Sequence, residues 1–522
     1  MRRGVTAVIA VIAAAVTLPG AASGAALIPL APTSAWDSDP IHATAPPGDP
    51  RLFVAERGGG VRIFENGALR PAPFLTVPNV DISGERGLLS IAFAPDYAAS
   101  GLLYVFTVAK EAGEFGATPG ELQVVEYRRS ALDPGLADPG SARLVLGIPH
   151  SATNHNGGQI AFGPDGLLYV TVGDNAVQTN AQDLTNLFGK VLRIDPRGFA
   201  NDGEYDVPPS NPFFGDGPGT REEIYALGLR NPYRASFAPD RRLVVADVGS
   251  ELWEEVNSGS LAGANLGWPN CEGACAPPNP TFTDPVFQYG NDATDPGPEA
   301  TTGCAVVGGH VVRDQLLGEL FGRYLYGDLC RSDLRTIDLD AAGGDPQPAG
   351  LTIPSGSLLG FGEDSGCGIY AMTTGTAYRV AMDSSSSPSS GAPLCAIVDP
   401  VGKQPQREQL RLRVRAARRQ RLRGHVKVTA ICSLACTLHA RGRLHFFKRG
   451  RKAGSARLIP VSRPAKAGAR NRFRLAVLKV RVRQRAKRML KQGRRVTAQV
   501  TVVAFDEAGE RLSRTVPVRL KR

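Results

Sequence analysis

Two short segments hold side chains that could take a proton and steady a developing negative charge. The first is His150-Ser151-Ala152-Thr153-Asn154-His155-Asn156-Gly157-Gly158. An imidazole is the side chain best matched to accepting a proton near neutral pH, and flanking Asn amides can orient it. A loop histidine that only bonds backbone is the simpler alternative. The second is Glu223-Ile224-Tyr225-Ala226-Leu227-Gly228-Leu229-Arg230-Asn231-Pro232. Arg230 offers a fixed, always-charged fork for a carboxylate or an oxyanion, and Pro232 stiffens the turn that presents it. A structural ion pair is its alternative. A third stretch runs from Asp247 through Gly249, Ser250, Glu254 and Glu255 to Asn257, followed by Gly263-Ala264-Asn265-Leu266-Gly267-Trp268-Pro269. Its density of acids and turn carbonyls suits Ca²⁺, an oxygen-seeking ion, as well as a solvated loop. The chain has no G-x-x-x-x-G-K-[ST], no H-E-x-x-H and no G-x-S-x-G. None of its seven histidines is paired as H-x-H, which argues against a zinc hydrolase. Glu363-Asp364-Ser365-Gly366 looks like a serine-protease nucleophile but falls at a repeated strand and reads as a turn.

The elements that must position these groups repeat. An acidic or Gly-containing turn followed by a Leu-Tyr-Val-like strand occurs six times: Asp49 to Val54, Gly101 to Val105, Asp165 to Val170, Asp240 to Val245, Gly322 to Tyr326 and Gly366 to Tyr370. The aromatic or equivalent positions 53, 104, 169, 244, 325 and 370 lie 51, 65, 75, 81 and 45 residues apart. That spacing fits one four-stranded sheet per repeat with variable loops, hence a six-bladed β-propeller. Second β-rich runs, Gly60 to Phe64 and Leu334 to Leu339, fit the return strand of a hairpin. A single β-sandwich would not extend over so long a stretch. A loop preceding a blade opens on the central channel, which is where the His155 segment would lie.

Charge divides the chain. From Val401 onward there are 36 Lys and Arg against four acids, a surplus of 32, whereas the first 400 residues hold 24 bases against 45 acids, a deficit of 21. Opposite surpluses of this size predict two separately built modules rather than one mixed surface. Met1-Arg2-Arg3, the apolar run Val5 to Leu18 and the small residues through Ala25 read as a secretory signal peptide over 1–24. An uncleaved anchor is the alternative, and no other segment is long and apolar enough to span a membrane. The eight cysteines fit an oxidising, extracellular or cell-surface setting; their connectivity is not readable from spacing, although Cys271–Cys275 and Cys432–Cys436 are candidate local bridges. A propeller over 27–382, a Ser/Pro-rich linker over 383–402 and a basic, Ig-like β-sandwich over 403–522 are expected. The sandwich rests on basic-apolar alternation at Leu410 to Arg415 and His425 to Ala430, with one helix at Arg483 to Gln492 and strand again at Val496 to Phe505. Its charge suits an anionic cell-wall polymer or polysaccharide better than a specific nucleic acid, because few aromatics are available for base stacking. A merely solubilising basic module is the alternative.

Several ordered segments resemble the glucose/sorbosone dehydrogenase family, soluble quinoproteins that use pyrroloquinoline quinone (PQQ). They are Gly84-Glu85-Arg86-Gly87-Leu88-Leu89-Ser90 continuing to Asp96, His155-Asn156-Gly157-Gly158 with Gly163-Pro164-Asp165-Gly166, Gly189 to Pro196, Leu229-Arg230-Asn231-Pro232, and Asn265 to Pro269. The resemblance covers most of Asp49 to Val380 and implies a six-bladed propeller. It also implies an aldose or related sugar as substrate, PQQ as hydride acceptor and an external electron acceptor. By the same resemblance His155 is the general base, Arg230 steadies the reduced quinone, Glu85 and Asn231 contact the cofactor, and the backbone carbonyls of Gly249 and Ser250 hold Ca²⁺. The chain departs from the family in carrying Glu85 where the sugar oxidisers have Gln, and Asn154 where they have Asp. The family's later Lys and Arg contacts to the PQQ carboxylates find no match in 306–380, which is closer to hedgehog-interacting-protein-type propellers that act by binding. A non-catalytic propeller binding glycan or protein at the cell surface is therefore the second expectation.

Overall fold

A computed structural model describes residues 24–382, apart from 114, 116, 198–204, 218 and 292–302, together with parts of 412–521. The expected linker and nearly all of the expected signal peptide lie outside the described residues.

Residues 25–382 form six four-stranded antiparallel blades. Blade 1 is Pro40–Thr44, Leu52–Glu56, Gly60–Glu65 and Ala68–Leu69, with Leu75–Thr76 added at its edge. Blade 2 is Leu88–Phe93, Leu102–Val108, Leu122–Arg129 and Ala137–Ile148. Blade 3 is Ile160–Phe162, Leu168–Val172, Lys190–Ile194 and Ile224–Leu227. Blade 4 is Arg234–Phe237, Leu243–Asp247, Trp253–Gly259 and Phe287–Gly290. Blade 5 is Val306–Val311, Tyr324–Asp328, Asp333–Ile337 and Gln347–Thr352. Blade 6 is Leu358–Glu363, Ile369–Thr373 and Thr376–Met382, and its outer strand comes from the other end of the chain: Ala25–Pro29 pairs antiparallel with Thr376–Met382. The first strands of neighbouring blades lie against one another around the channel, and those of blades 1 and 6 pair in parallel.

All six sequence repeats fall on the second strand of a blade, and the two return runs are third strands paired to them. The repeated turn is built by an Asp whose carboxylate accepts the N–H two residues on, at Asp49, Asp165, Asp240 and Asp364. The Glu363-Asp364-Ser365-Gly366 segment is thus a blade turn, as expected. The repeated aromatic has a packing cause. Phe53 meets Phe93 at 4.7 Å between ring centroids, Tyr104 meets Phe162 at 5.4 Å and Tyr169 meets Phe237 at 5.0 Å, each edge-on against the next blade. Edge-to-face pairs add to the burial term, so these three repeats each clamp the next blade.

At the centre sits a side chain no motif announced. Arg234 is 2 % exposed, and its guanidinium donates to the carbonyls of Leu89 at 3.1 Å, Ile41 at 3.0 Å and Leu359 at 3.2 Å. Those carbonyls belong to blades 2, 1 and 6, while Arg234 belongs to blade 4. The Tyr233 ring lies 4.0 Å from the same guanidinium. A Cβ at Gly360 would collide with the Ile41 carbonyl, so the strands can approach the axis closely only with glycine there.

Beyond the propeller, Leu412–Arg415, His425–Cys432 and Asn471–Ala476 form one sheet. A second joins Arg419–Arg421, Arg511–Lys521, Val496–Asp506, Cys436–Lys448 and Arg451–Arg457, with Val461–Ala465 also on Cys436–Lys448. Val496, Ala498 and Val500 are buried, as are Val518 and Leu520, the period-two pattern of strands with one wet face. Of the expected helix, Arg488–Leu490 is helical and 483–487 lie outside the described residues. Cys271 bonds Cys275 and Cys304 bonds Cys330; the side chains of Cys432 and Cys436 lie outside the described residues.

Replacing Arg234 with Leu orphans three buried carbonyls, at about 1–3 kcal/mol each, so unfolding free energy should fall by about 3 kcal/mol or more. Arg242→Ala, which removes surface pairs with Asp240 and Asp340, should cost no more than about 1 kcal/mol. Urea midpoints of the two variants against the parent check this ordering.

Candidate active site

The first strands of the blades start at one end of the channel, so the segments before them converge there. Glu85 precedes the first strand of blade 2, His155 that of blade 3, and Arg230 and Asn231 that of blade 4. Hydrogen bonds join Glu85, the His155 loop and Asn231. Glu85 Oε2 accepts from the His155 N–H at 2.9 Å and from Asn231 Nδ2 at 3.2 Å, and Asn231 Oδ1 accepts from the Gly157 N–H at 3.0 Å. Three blades are thereby registered at their tips.

His155 is 8 % exposed and has a left-handed backbone, φ 54°, which is uncommon for a residue with a Cβ. Its N–H is held by Glu85 and its carbonyl oxygen lies 3.1 Å from His150 Nε2. A Cβ at Gly173 would collide with that same carbonyl. The imidazole Nδ1 lies 2.7 Å from Asp174 Oδ1, and Asp174 Oδ2 accepts from Trp268 Nε1 at 2.9 Å. Asp174 is fully buried and accepts at Nδ1, which selects the tautomer with its proton there and leaves the Nε2 lone pair for another group. Nε2 has no hydrogen-bond partner among the described residues. Beside it, Asn156 is 1 % exposed with both amide atoms unpartnered, so buried polar capacity is unspent at this site.

Arg230 is half-buried. Its backbone N–H and that of Asn231 donate to the two oxygens of Asp247, at 2.9 and 2.7 Å. Its Nη1 donates to the Val248 carbonyl at 3.2 Å, and its guanidinium stands 5.7 Å from the Trp268 ring centroid. Trp268 therefore ties the two halves together: its N–H fixes the carboxylate behind His155 and its ring supports Arg230. The connection 260–286 of blade 4 carries it to this end of the channel.

Asp174 was the functional residue most easily missed, yet a signal existed. An acid ends the second strand, or follows it within two residues, in four blades: Glu56, Asp174, Asp247 and Asp328, all buried. Each accepts loop N–H groups, for instance Asp37 on Glu56 and Cys304, Ala305 and Cys330 on Asp328. The acids of the third stretch have related roles. Asp247 is spent on the Arg230-Asn231 backbone, and Glu254 accepts from the N–H groups of Gly249 and Val306. Burial, then the neighbouring Glu255, holds Asp247 well above the usual carboxylate range, and burial pushes Glu254 up to about 7.

The donor set fits Ca²⁺ in part. The Gly249 and Ser250 carbonyls lie on the loop that Arg230 touches, with buried acids short of compensating charge behind it. The Ser250 carbonyl already accepts from Asn291 Nδ2 at 3.3 Å, which leaves it one lone pair. The set fits PQQ less completely. Arg57 spends its guanidinium on the Ile82, Gly84 and Arg86 carbonyls, and Arg86 on Asp81 and the Ser151 and Ala152 carbonyls. Glu85 adds a carboxylate where a tricarboxylate would have to enter.

The opposite end of the channel opens into a cavity of about 540 Å³ among the C-terminal ends of the first strands, where His42, Gln159, His310 and the Arg313–Glu363 ion pair meet Phe93, Phe162 and Phe237. Burial lowers the pKa values of both His42 and His310. Arg234 lies between this cavity and the His155 end.

Comparison with known proteins is consistent with this geometry. The mouse Hedgehog-interacting protein is 30 % identical over 411 residues, covering 74 % of this chain and 54 % of that protein. The aldose sugar dehydrogenase of Escherichia coli is 32 % identical over 222 residues, 42 % of this chain and 55 % of that enzyme. The chain thus spans about half the length of these curated relatives. Among solved structures, the PQQ-bound aldose sugar dehydrogenase of Streptomyces coelicolor superposes with a TM-score of 0.53 at 25 % identity, over 69 % of this chain and 98 % of that one. The model of the glucose/sorbosone dehydrogenase family matches residues 38–348, the stretch that carries His155, Arg230 and five of the six blades' first strands, and the chain belongs to that family.

Proposed function

We propose that the His155 end of the channel is an oxidoreductase site that takes a hydroxyl proton from an aldose or related sugar while PQQ receives the electrons. The single observation that carries this reading is the Trp268–Asp174–His155 relay with Nε2 unengaged. PQQ, when bound, supplies a two-electron acceptor at the quinone carbonyls. The chain's own residues supply the rest. Nε2 of His155 takes the proton from the substrate hydroxyl, and Asp174 stabilises the imidazolium that results. Arg230 is a fixed positive charge for an oxygen that becomes anionic, and its position costs no reorganisation because Asp247, Val248 and Trp268 already hold it. Asn231 would contact the cofactor, and the Gly249 and Ser250 carbonyls would hold Ca²⁺. Secretion or surface attachment, an external electron acceptor, and retention of the basic C-terminal module on an anionic polymer belong to the same reading.

Two observations favour a second reading, a propeller that acts by binding a glycan or protein. The match to the Hedgehog-interacting protein covers more of this chain than the match to the Escherichia coli dehydrogenase, and Glu85 opposes an anionic cofactor.

Purified protein given PQQ and Ca²⁺ should reduce a dye with at least one of a panel of aldoses, and His155→Ala should lose about 10²-fold or more in turnover. No turnover together with no retained PQQ overturns the enzymatic reading and leaves the binding one. Asp174→Asn should lower kcat by at least about 10-fold, because an amide in place of the carboxylate no longer selects the tautomer that leaves the Nε2 lone pair free. Turnover unchanged in this variant would mean that Asp174 only packs.

A further inference from the structure

The loop that presents Gly249 and Ser250 is organised around one side chain that belongs to a different segment. Glu272 Oε1 accepts from four consecutive backbone N–H groups: Ser250 at 2.6 Å, Glu251 at 2.8 Å, Leu252 at 2.9 Å and Trp253 at 3.2 Å. Successive amides converging on one anion form a nest, an arrangement that ordinarily captures a ligand such as phosphate. Here the protein fills it with its own carboxylate.

The consequence lies on the other face of each peptide. In a trans peptide the C=O of one residue points opposite to the N–H of the next. The N–H of Ser250 shares its plane with the Gly249 carbonyl, and the N–H of Glu251 shares its plane with the Ser250 carbonyl. Drawing those two N–H groups onto Glu272 therefore turns the Gly249 and Ser250 carbonyls away from it. The remaining contacts leave the loop little freedom. The Gly249 N–H donates to Glu254 Oε2 at 3.2 Å, and a Cβ at Gly249 would collide with the Trp253 carbonyl, so the turn closes only with glycine there. Glu272 is itself held, because the Cys271–Cys275 disulfide closes a five-residue ring around it and the Gly273 N–H is bound by Glu255 Oε1.

We propose that Glu272 is a positioning residue that aims the Gly249 and Ser250 carbonyls for Ca²⁺, using the amide nest as its handle. The proposal rests on the Ca²⁺ part of the reading above. Its charge also matters: one carboxylate balances four aligned amide dipoles, so a neutral amide in its place holds the loop less firmly.

The test uses the full chain and two readouts, calorimetric titration with CaCl₂ alone and hydrogen exchange of the peptide spanning 249–256. In Glu272→Ala the amides of 250–253 should exchange at least 10-fold faster and the Ca²⁺ Kd should rise at least 10-fold. Glu272→Gln, which keeps one acceptor oxygen and most of the packing, should fall between. Glu251→Gln removes the same charge from an exposed position on the same loop and should change neither readout. Parent protein that binds Ca²⁺, with Glu272→Ala binding it equally well, overturns the aiming role. Exchange unchanged in Glu272→Ala overturns the nest. Parent protein that takes up no Ca²⁺ overturns the Ca²⁺ reading itself, and with it this role, whatever the exchange shows; that result is distinct from the other two because it appears without any substitution.

Discussion

A single buried guanidinium closes the ring. A charge in a protein interior is costly unless it is hydrogen-bonded, and Arg234 donates to carbonyls of blades 1, 2 and 6 and to the Tyr233 hydroxyl. Those carbonyls lie on first strands, where the inner edge of each blade faces the channel. The same side chain that offsets its own burial therefore fixes the distance of four blades from the axis. Burial pulls its pKa downward, but a guanidinium starts so high that it remains charged. The closure by Ala25–Pro29 works at the opposite radius: it finishes the outer edge of blade 6, so the ends of the propeller's chain meet in one sheet. A ring held at hub and rim gives loops at its mouth a rigid base.

On that base the mouth is assembled by carboxylates rather than by apolar packing. Glu85, Asp174 and Asp247 each accept two or more hydrogen bonds from a blade other than their own, or from the loop beside it. The left-handed backbone of His155 shows what this holds in place. Such a conformation costs on the order of 1–3 kcal/mol and persists only where the surroundings over-determine it. Here Glu85 takes the N–H, His150 the carbonyl and Asp174 the ring, so three bonds from three segments fix one residue. The strain falls on the backbone of the residue whose Nε2 has no partner among the described residues.

How much of this was legible in the sequence differs by scale. The repeat strands carried the blade count, because an apolar or aromatic side chain recurs at one strand position in every copy, and in three copies it is an aromatic that meets the next blade, as Phe53 meets Phe93. The His155 and Arg230 loops were legible because their residue types are unusual for turns. Asp174 was not, since Gly173-Asp174 after a strand looks like any turn; only comparing copies shows an acid at or just past the end of the second strand four times. Arg234 was hidden more deeply. Its strand reads Arg-Ala-Ser-Phe, which on period alone puts the arginine on a solvated face, and only closure of the ring turns that face into the channel. Glu272 could not have been found by spacing, because its partners lie about twenty residues upstream in a loop that has no regular period.

The electrostatics of the mouth constrain what can bind there first. Glu85, Asp174 and the buried acids behind Gly249 outnumber Arg230, and Arg57 and Arg86 are spent on loop carbonyls. Burial drives Glu254 and Asp247 toward their neutral forms, which is how a protein limits the cost of charge it cannot pair. A divalent cation at the adjacent loop would lower that cost from outside, by supplying the opposite charge that the chain does not. A tricarboxylate arriving at the same mouth without the cation would meet Glu85 with a single arginine to offset it. On the proposed reading, an anionic cofactor would therefore depend on the cation for its affinity, because Glu85 adds to the negative charge it meets.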